Sequence, residues 1–344
     1  MKNGLAAVAL ACLALAGCGA DGGSSSGSGV PPISGTPTPT PTPVPTPTPT
    51  PTFDYQTAYD PARDFSYELF GAEIAHLKSA DGTTNTFIES YLYDNDLVLG
   101  RRYARYRAEA GTFSLAAGFD TYSDFSASDL LQRDEYQLNY RRENGMERRH
   151  AYAFRAWQDR PGSGLDQVHT LAIFYTEEAV PRRGERQYRH ARFITGTPTL
   201  QEDMATSGRL RHQAWAAMDV VDTALGNRMV TYRERRDSDD INDAEFSTLV
   251  FDFESGTLTG TITMQSQVLA DETPTDITFD VDAKLVDGGP MLEGTVRSTD
   301  GRGGPIAGSL NGPQGRELGF AFTLRKGESH ATGVLAARAV GKRY

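Results

Sequence analysis

The sequence predicts an all-β protein, in which an N-terminal β-rich domain precedes an eight-stranded antiparallel β-barrel. The clearest evidence is residues 277–285, where every second side chain is apolar. Side chains two residues apart point to the same face of a strand, so this pattern indicates a strand with one dry and one wet face. Glycine-rich turns separate such segments, as is typical of antiparallel connections.

The barrel is predicted for residues 199–344, where the alternation recurs. Leu249, Phe251 and Phe253 precede a Glu-Ser-Gly turn and a threonine-rich strand, which is typical of a hairpin. Eight or nine short strands favour closure, because a closed sheet has no exposed edge. Eight strands enclose just enough space for their own side chains, so a ligand cavity is not implied. The other predicted strands are 208–216, 228–234, 291–297, 304–311, 316–325 and 331–339.

Residues 53–198 predict a less regular β domain that is rich in Tyr and Phe. The segment 180–184 is predicted to be a hairpin loop, and 126–133 a short helix capped by Ser126 or Ser128. The candidate strands are 65–70, 86–93, 97–107, 111–116, 136–142, 149–157, 168–176 and 187–195.

The first 52 residues predict export and a spacer. Residues 1–17 combine a short basic start with an apolar stretch too short to span a membrane, which is typical of a signal peptide. In 18–52, a Gly/Ser-rich segment precedes TPTPTPTPVPTPTPTPT, which cannot bury a core. Such a repeat favours polyproline II, rising about 3.1 Å per residue, so we interpret 18–52 as a tether and stalk.

The quartet Leu15-Ala16-Gly17-Cys18 resembles a bacterial lipobox. This resemblance implies that Cys18 starts the mature chain and is the lipid-attachment site, carrying diacylglycerol and an amide-linked acyl chain such as palmitate. Affinity for a membrane grows by about 0.8 kcal/mol per buried methylene, so two or three chains anchor stably. Gly19 at the next position favours the outer membrane. An ordinary signal peptide with an incidental cysteine is the alternative.

The charge balance disfavours nucleic-acid binding. The chain has 34 basic and 45 acidic side chains, a net charge of −11, which repels phosphate backbones. Arginines cluster at 101–107, 141–150 and 182–192. These clusters predict either sheet faces balanced by nearby carboxylates or a patch for an acidic partner. The candidate partner-binding residues are Arg182, Arg183 and Arg186.

No pattern in the sequence predicts catalysis, a metal or a cofactor. The six histidines form no i,i+4 pair, so no metal site is expected. The acidic stretch 237–243 lacks the glycine and glutamate of a calcium loop, and a solvated loop is predicted. Nucleophile-elbow, phosphate-loop and dinucleotide motifs are missing from the sequence. We therefore expect a protein that is not an enzyme.

Four segments together resemble the transferrin-binding protein B-like barrel. Residues 308–322 read GSLNGPQGRELGFAF, similar to G-x-F-x-G-P-x-A-x-E-x-G-G-x-F, and 203–208, DMATSG, resemble the M-P-x-S-G entry to the first strand. The segments 251–262 and 333–338 match the motifs V-D-F-x-x-G-x-v-x-G-x-i and G-v-F-x-A-x-R of that family. The departures from its pattern are Ala205, Gly315 and Phe320.

The resemblance implies a handle domain at 53–198 and a barrel at 199–344. It also implies an outer-membrane, surface-exposed lipoprotein that binds an unidentified protein or solute through loops, without chemistry. Iron- or haem-related capture, with a TonB-dependent receptor as partner, is the function that it suggests. A structural or adhesive surface protein with no uptake role is the alternative. In the family motif, Glu317 is interpreted as an acceptor for turn amides.

Overall fold

The computed structural model describes residues 53–79, 85–93, 102–117, 121–155, 168–179, 185–222, 228–234, 247–267 and 273–340. In this part of the chain the regular structure consists of twenty strands and short 3₁₀ turns, which confirms the all-β prediction. None of the helices described there is long and apolar enough to cross a membrane. We keep the names handle for residues 53–198 and barrel for residues 199–344.

The handle strands form two antiparallel sheets within the described residues. One has four strands in the order β1-β4-β5-β6, and the other has seven in the order β3-β2-β11-β10-β9-β8-β7. The strands are β1 (Phe65–Glu68), β2 (Phe70–Lys78), β3 (Asn85–Tyr93), β4 (Tyr103–Arg107), β5 (Thr112–Ala117), β6 (Thr121–Phe125), β7 (Leu130–Arg133), β8 (Gln137–Glu143), β9 (Glu147–Arg155), β10 (Thr170–Ala179) and β11 (Arg186–Gly196).

An aromatic core fills the space between the two handle sheets. Phe113 of the smaller sheet stacks on Tyr140 of the larger one, with ring centroids 5.7 Å apart. Tyr140 donates its hydroxyl to Gly111 O at 2.9 Å, and Tyr175 bonds Ser123 Oγ at 2.9 Å. Each tyrosine therefore buries its ring while its hydroxyl keeps a hydrogen-bond partner, as burial of that polar group requires.

The barrel strands close on themselves, because β12 pairs with both β14 and β20. The strands are β12 (Arg209–Asp222), β13 (Arg228–Glu234), β14 (Ser247–Asp252), β15 (Thr257–Gln267), β16 (Asp276–Leu285), β17 (Met291–Ser298), β18 (Gly303–Asn311), β19 (Glu317–Lys326) and β20 (Ser329–Ala339).

Nine described strands occupy eight positions around the barrel. The first part of β12, Arg209–Gln213, pairs with β14, and the last part, Ala217–Asp222, pairs with β13. Both partners also pair with β15. β13 and β14 therefore act as one strand that is interrupted between 234 and 247, and the eight-stranded prediction is confirmed. The acidic stretch 237–243 lies in that interruption, outside the described residues.

The barrel interior is packed with its own side chains. The alternating apolar residues predicted in 277–285 point inward, and Phe279 contacts the ring of Phe322 at 6.2 Å between centroids. In the described part of the barrel, the space left among these side chains has a volume of about 10 Å³ and an apolar lining that includes Ile262 and Leu335. That volume is at the lower limit for a single water molecule.

The predicted helix at 126–133 is wrong. Only Ala127–Asp129 form a 3₁₀ turn, and Leu130–Arg133 form the edge strand β7. The Asp129 carboxylate accepts hydrogen bonds from the Ser126 amide and hydroxyl at 2.7 and 2.8 Å. These local bonds close one turn, after which pairing with β8 replaces a helical continuation.

The second face of the seven-stranded sheet packs on the outside of the barrel. Phe70 and Ile194 of the handle share a buried cluster with Ala321, Val334 and Ala336 of β19 and β20. Gly319 lies in this contact, since an added Cβ would be 2.7 Å from Ile194 Cγ1. Small residues on the barrel wall thus allow the sheet to approach closely.

The family-like segment 308–322 joins barrel to handle. Glu317 is 5% exposed and accepts hydrogen bonds from the Val168 and His169 amides at 2.9 and 3.0 Å. Burial raises the pKa of Glu317, and these amide donors oppose that rise. Asn311 Nδ2 donates to Thr170 Oγ1 at 3.0 Å. The interpretation of Glu317 as an amide acceptor is thus confirmed, but the amides belong to the handle and not to the barrel turn.

Candidate functional site

The predicted site residues lie partly outside the described structure. Cys18, Arg182 and Arg183 are in segments that the structure does not describe. Arg186 is the first residue of β11, and 56% of its side chain is exposed. Of the three predicted partner-binding residues, Arg186 is the one that the structure describes.

Arg186 lies at one end of the seven-stranded sheet, where the ends of β8, β9, β10 and β11 lie side by side. The connection from β8 to β9 ends there, and Arg148 of β9 lies opposite Glu178 of β10. We call this end the handle tip. It surrounds an open surface cavity of about 170 Å³, lined by Glu143, Gly145, Met146, Glu147, Arg148, Glu178 and Arg186.

The arginines of the handle tip are paired with carboxylates. Glu178 Oε1 lies 2.6 Å from Arg186 Nη1, and its Oε2 lies 3.2 Å from Arg148 Nη1. Glu143 accepts hydrogen bonds from Arg148 Nε at 2.8 Å and from Arg141 Nε at 2.7 Å. These two arginines hold the pKa of Glu143 below its ordinary value.

This pairing agrees with one of the two sequence interpretations, that of a sheet face balanced by nearby carboxylates. Tyr188 adds a hydroxyl donor to Glu178 Oε1 at 3.2 Å, and Tyr188 and Glu178 raise the pKa of Arg186. The side chains are therefore held in place across three strands. Pairing of exposed groups adds little stability, about 0–1 kcal/mol per pair, so the network fixes geometry more than it stabilises the fold.

The handle tip includes an exposed methionine, Met146. Gly145 adopts φ of 78°, and the Asn144 amide donates to Glu147 O at 3.0 Å, so the chain reverses tightly. Met146 is 66% exposed. An unbranched apolar side chain adapts to the surface that it contacts, and it is surrounded here by fixed polar groups. Sequence reasoning missed Met146, although a lone apolar residue in a polar turn is a signal for it.

The described residues contain a buried Ser–His contact and no cluster of metal ligands. No group of three or more His, Cys, Asp or Glu side chains in them could hold a metal ion. Ser90 Oγ and His330 Nδ1 lie 3.4 Å apart, but they are 6% and 9% exposed. The pair joins β3 of the handle to β20 of the barrel. Because both side chains are buried in this contact, a substrate could not reach the serine.

The described chain begins at the opposite end of the handle from its tip. Thr197 Oγ1 donates to Gln56 O at 2.9 Å, and the Leu200 amide donates to the Tyr55 hydroxyl at 2.9 Å. The Ala58 amide donates to Val168 O at 2.6 Å. From here β10 runs for 10 residues to the tip, a distance of about 30 Å at 3.3 Å per residue.

Comparison with known proteins identifies the barrel. Residues 180–339 match the family model described as the C-lobe and N-lobe beta barrels of Tf-binding protein B. None of the curated proteins matches the chain.

Solved structures with similar folds include intact Ap-TbpB with its N and C lobes, at 10% identity and a TM-score of 0.40, covering 84% of this chain and 78% of that one. HpuA from Kingella denitrificans, solved with human haemoglobin, is 12% identical, with a TM-score of 0.35 and coverage of 83% and 90%. The N-lobe of lactoferrin binding protein B from Moraxella bovis is 14% identical, with a TM-score of 0.32 and coverage of 55% and 79%.

Proposed function

We propose that the chain is a surface lipoprotein of the transferrin-binding protein B-like family, located in the outer membrane, that binds a protein ligand without catalysis. Residues 180–339 match the barrel model of that family. The binding site that we propose is the handle tip, together with Arg182 and Arg183 of the segment that connects β10 to β11. In this account Cys18 carries the lipid anchor, and residues 18–52 form the spacer.

The observation that carries this proposal is the filled barrel. Its interior leaves a volume of about 10 Å³ among the described side chains, whereas small-molecule sites are typically about 300–1,000 Å³. The described part of the interior therefore offers no room for such a ligand, and we place the binding site on the outside. Since a protein can contact a broad surface, a protein ligand suits this molecule better than a small solute.

The handle tip has the composition of a protein-binding surface. Arg148, Arg186 and Tyr188 are held by shared contacts with Glu178, and Met146 is exposed beside them. Interfaces are enriched in Arg, Tyr and Met, and a few such residues carry most of the binding energy. Because the arginines are ordered before binding, less conformational entropy is lost on contact.

The position of the tip also supports the proposal. Residues 55–58 are bonded at the other end of the handle strands, about 30 Å away by the rise of β10. If residues 18–52 lead to a lipid anchor, the chain enters on the side opposite the tip. The tip is then at the far end of the handle from the point where the spacer joins it, and a host or environmental protein can reach it.

Iron- or haem-related capture, with delivery to a TonB-dependent receptor, is the form of this function that we propose on the strength of the family. A structural or adhesive surface protein is the second candidate. The ion pairing at the tip favours that candidate, because Arg141, Arg148 and Arg186 are already neutralised by carboxylates.

Binding of defined proteins tests the function. The purified chain is titrated with transferrin, lactoferrin and haemoglobin, and the variant carrying Arg182→Ala, Arg183→Ala and Arg186→Ala is compared with Arg107→Ala. Arg107 is a matched control, since it is 55% exposed and paired with Asp64 away from the tip. We expect the triple variant alone to weaken binding while its melting temperature stays near that of the parent. Equal binding by both variants would exclude the arginine hairpin as the site.

A further inference from the structure

Two histidines lie side by side on the handle face that meets the barrel. The rings of His76 on β2 and His190 on β11 have centroids 5.4 Å apart and planes inclined by 15°. Arg192, two residues from His190 and therefore on the same face, lies 2.7 Å from Asp219 of β12. The histidine pair is thus next to the contact between handle and barrel.

The charges around this pair are mostly positive or already engaged. Arg192 Nη2 pairs with Asp219 Oδ2, and Thr231 Oγ1 donates to Asp219 Oδ1 at 2.8 Å. The Asp219 carboxylate, which acts on both histidines, is therefore shared with other donors. The titratable or charged groups around the pair come from four strands: Lys78 of β2, Glu178 of β10, Tyr188 and Arg192 of β11, and Asp219 of β12. Two further groups, Arg325 of β19 and His330 of β20, contact the neighbouring Ser90 of β3.

The docked arrangement holds both imidazoles in the neutral form. His76 is 3% exposed, and its Nδ1 is buried without a hydrogen-bond partner among the described residues. Burial and, to a smaller extent, the neighbouring His190 lower the pKa of His76 to about 4. Burial likewise lowers the pKa of His190 to about 4, against the attraction of Asp219.

We propose that this histidine pair makes the handle–barrel contact an acid-sensitive joint, which is docked at neutral pH and opens on acidification. A proton on either ring adds a cation beside Arg192 and its neighbouring imidazole, in a place where a charge is poorly solvated. When the joint opens, both rings meet water and take up protons readily.

The direction of the pH effect follows from these values. Histidine in water has a pKa of about 6.5, above the value of about 4 in the docked state, so the open state binds more protons between these limits. The contribution to docking is fully present above pH 6.5. It is lost progressively as the pH falls from about 6.5 to about 4.

Trp215 of β12 reports on the joint. Its ring contacts Phe154 and Phe174 of the handle, at 5.6 and 6.0 Å between centroids. The chain has two tryptophans, so Trp157→Phe leaves Trp215 as the only one. In the full chain in detergent, we expect acrylamide quenching of Trp215 to rise about twofold between pH 7.5 and 4.5, while far-UV circular dichroism stays constant.

A matched pair of variants identifies the responsible groups. His76→Phe with His190→Phe keeps two flat rings but removes both protonation sites, so quenching should no longer depend on pH. His150→Phe is the control, because His150 is half-buried and bonds Asn139 within the handle, and it should behave like the parent. A parent chain with constant quenching down to pH 4.5 would overturn the proposal without any variant. So would a double variant that keeps the full rise.

Discussion

The carboxylate of Glu317 on the barrel strand β19 accepts a hydrogen bond from the backbone amide of His169, 3.0 Å away at the start of the handle strand β10. Gly312 lies under the same histidine, where an added Cβ would be 2.5 Å from His169 Cδ2. Residues 308–322, which have the sequence pattern of a barrel-closing hairpin, therefore also form part of the contact between barrel and handle.

Replacing Glu317 with Gln should weaken this contact. The carboxylate offers acceptors to both the Val168 and His169 amides, whereas a glutamine side chain places an NH₂ group against one of them. A lost hydrogen bond to a charged group costs about 1.5–3 kcal/mol of unfolding free energy. Urea unfolding of Glu317→Gln measures the change. Glu254→Gln, on an exposed turn of the barrel, should leave the midpoint unchanged, and a similar effect of both variants would contradict the assignment.

The buried ion pair between Arg192 and Asp219 makes a second stability prediction. Their side chains are 9% and 0% exposed, and the Arg192 guanidinium lies 4.0 Å above the ring of Phe174. Arg192→Ala leaves the Asp219 carboxylate buried without its cation, which should cost about 3–5 kcal/mol. Arg192→Met combined with Asp219→Leu removes both charges and should recover much of that loss. If the double variant were as unstable as the single one, packing and not charge would explain the effect.

Separation of the barrel from the handle should expose an apolar face. We expect the fragment 199–344 to fold into an all-β unit on its own, as the sequence pattern predicts. However, Ala307, Ala321, Val334 and Ala336 would lose the handle that covers them, and exposed apolar patches favour association. Light scattering should therefore show concentration-dependent oligomers of a fragment that melts cooperatively. A monomeric fragment, or a non-cooperative one, would contradict one half of this expectation.

Lipidation remains a sequence prediction, because Cys18 lies outside the described residues. Cys18→Ser removes the thiol that the lipobox-like quartet offers for acylation, so the variant should appear in the soluble fraction of cells. Membrane fractionation with labelled palmitate measures this, and Gly19→Ala should keep both the label and the membrane association. A Cys18→Ser protein that still fractionates with the membrane would place the anchor elsewhere.

Much of the barrel could be predicted from the sequence, because its strands bury one face and expose the other. In β16, Phe279 and Val281 are buried while Asp280 and Asp282 face solvent, so the alternation of apolar and polar residues can be read directly from the sequence. The sequence predicts eight or nine strands because the interruption between β13 and β14 divides one barrel strand into two short ones.

In the handle strands, the alternation of apolar and polar residues is harder to see, because some buried or ion-paired side chains within the strands are polar. β6 was missed because Ser123, which is 1% exposed, points into the core and bonds Tyr175. The predicted end of β10 at residue 176 was too early, because Glu177 and Glu178 look like a loop in the sequence. They continue the strand by pairing with arginines on β9 and β11.

The handle tip was predictable only in part. Arg186 stood out within an arginine cluster, but its pairing with Glu178 depends on strand register, which a sequence alone does not give. Met146 was not recognised, because its importance lies in an exposure that only the turn geometry reveals. The docking role of Glu317 was hidden for the same reason, since its partners lie 148 and 149 residues earlier in the chain.

The most direct test of the central claim, that a protein ligand binds at the handle tip, compares two exposed apolar residues. Met146 and Leu131 are 66% and 61% exposed, and both belong to the handle, but only Met146 lines the tip cavity. The dissociation constant of each Ser variant is measured by calorimetry with whichever of transferrin, lactoferrin and haemoglobin the parent binds. We expect Met146→Ser to weaken binding by about tenfold or more, as for a central contact residue, and Leu131→Ser to change it little. Unchanged binding by Met146→Ser, or equal weakening by both variants, would contradict the assignment.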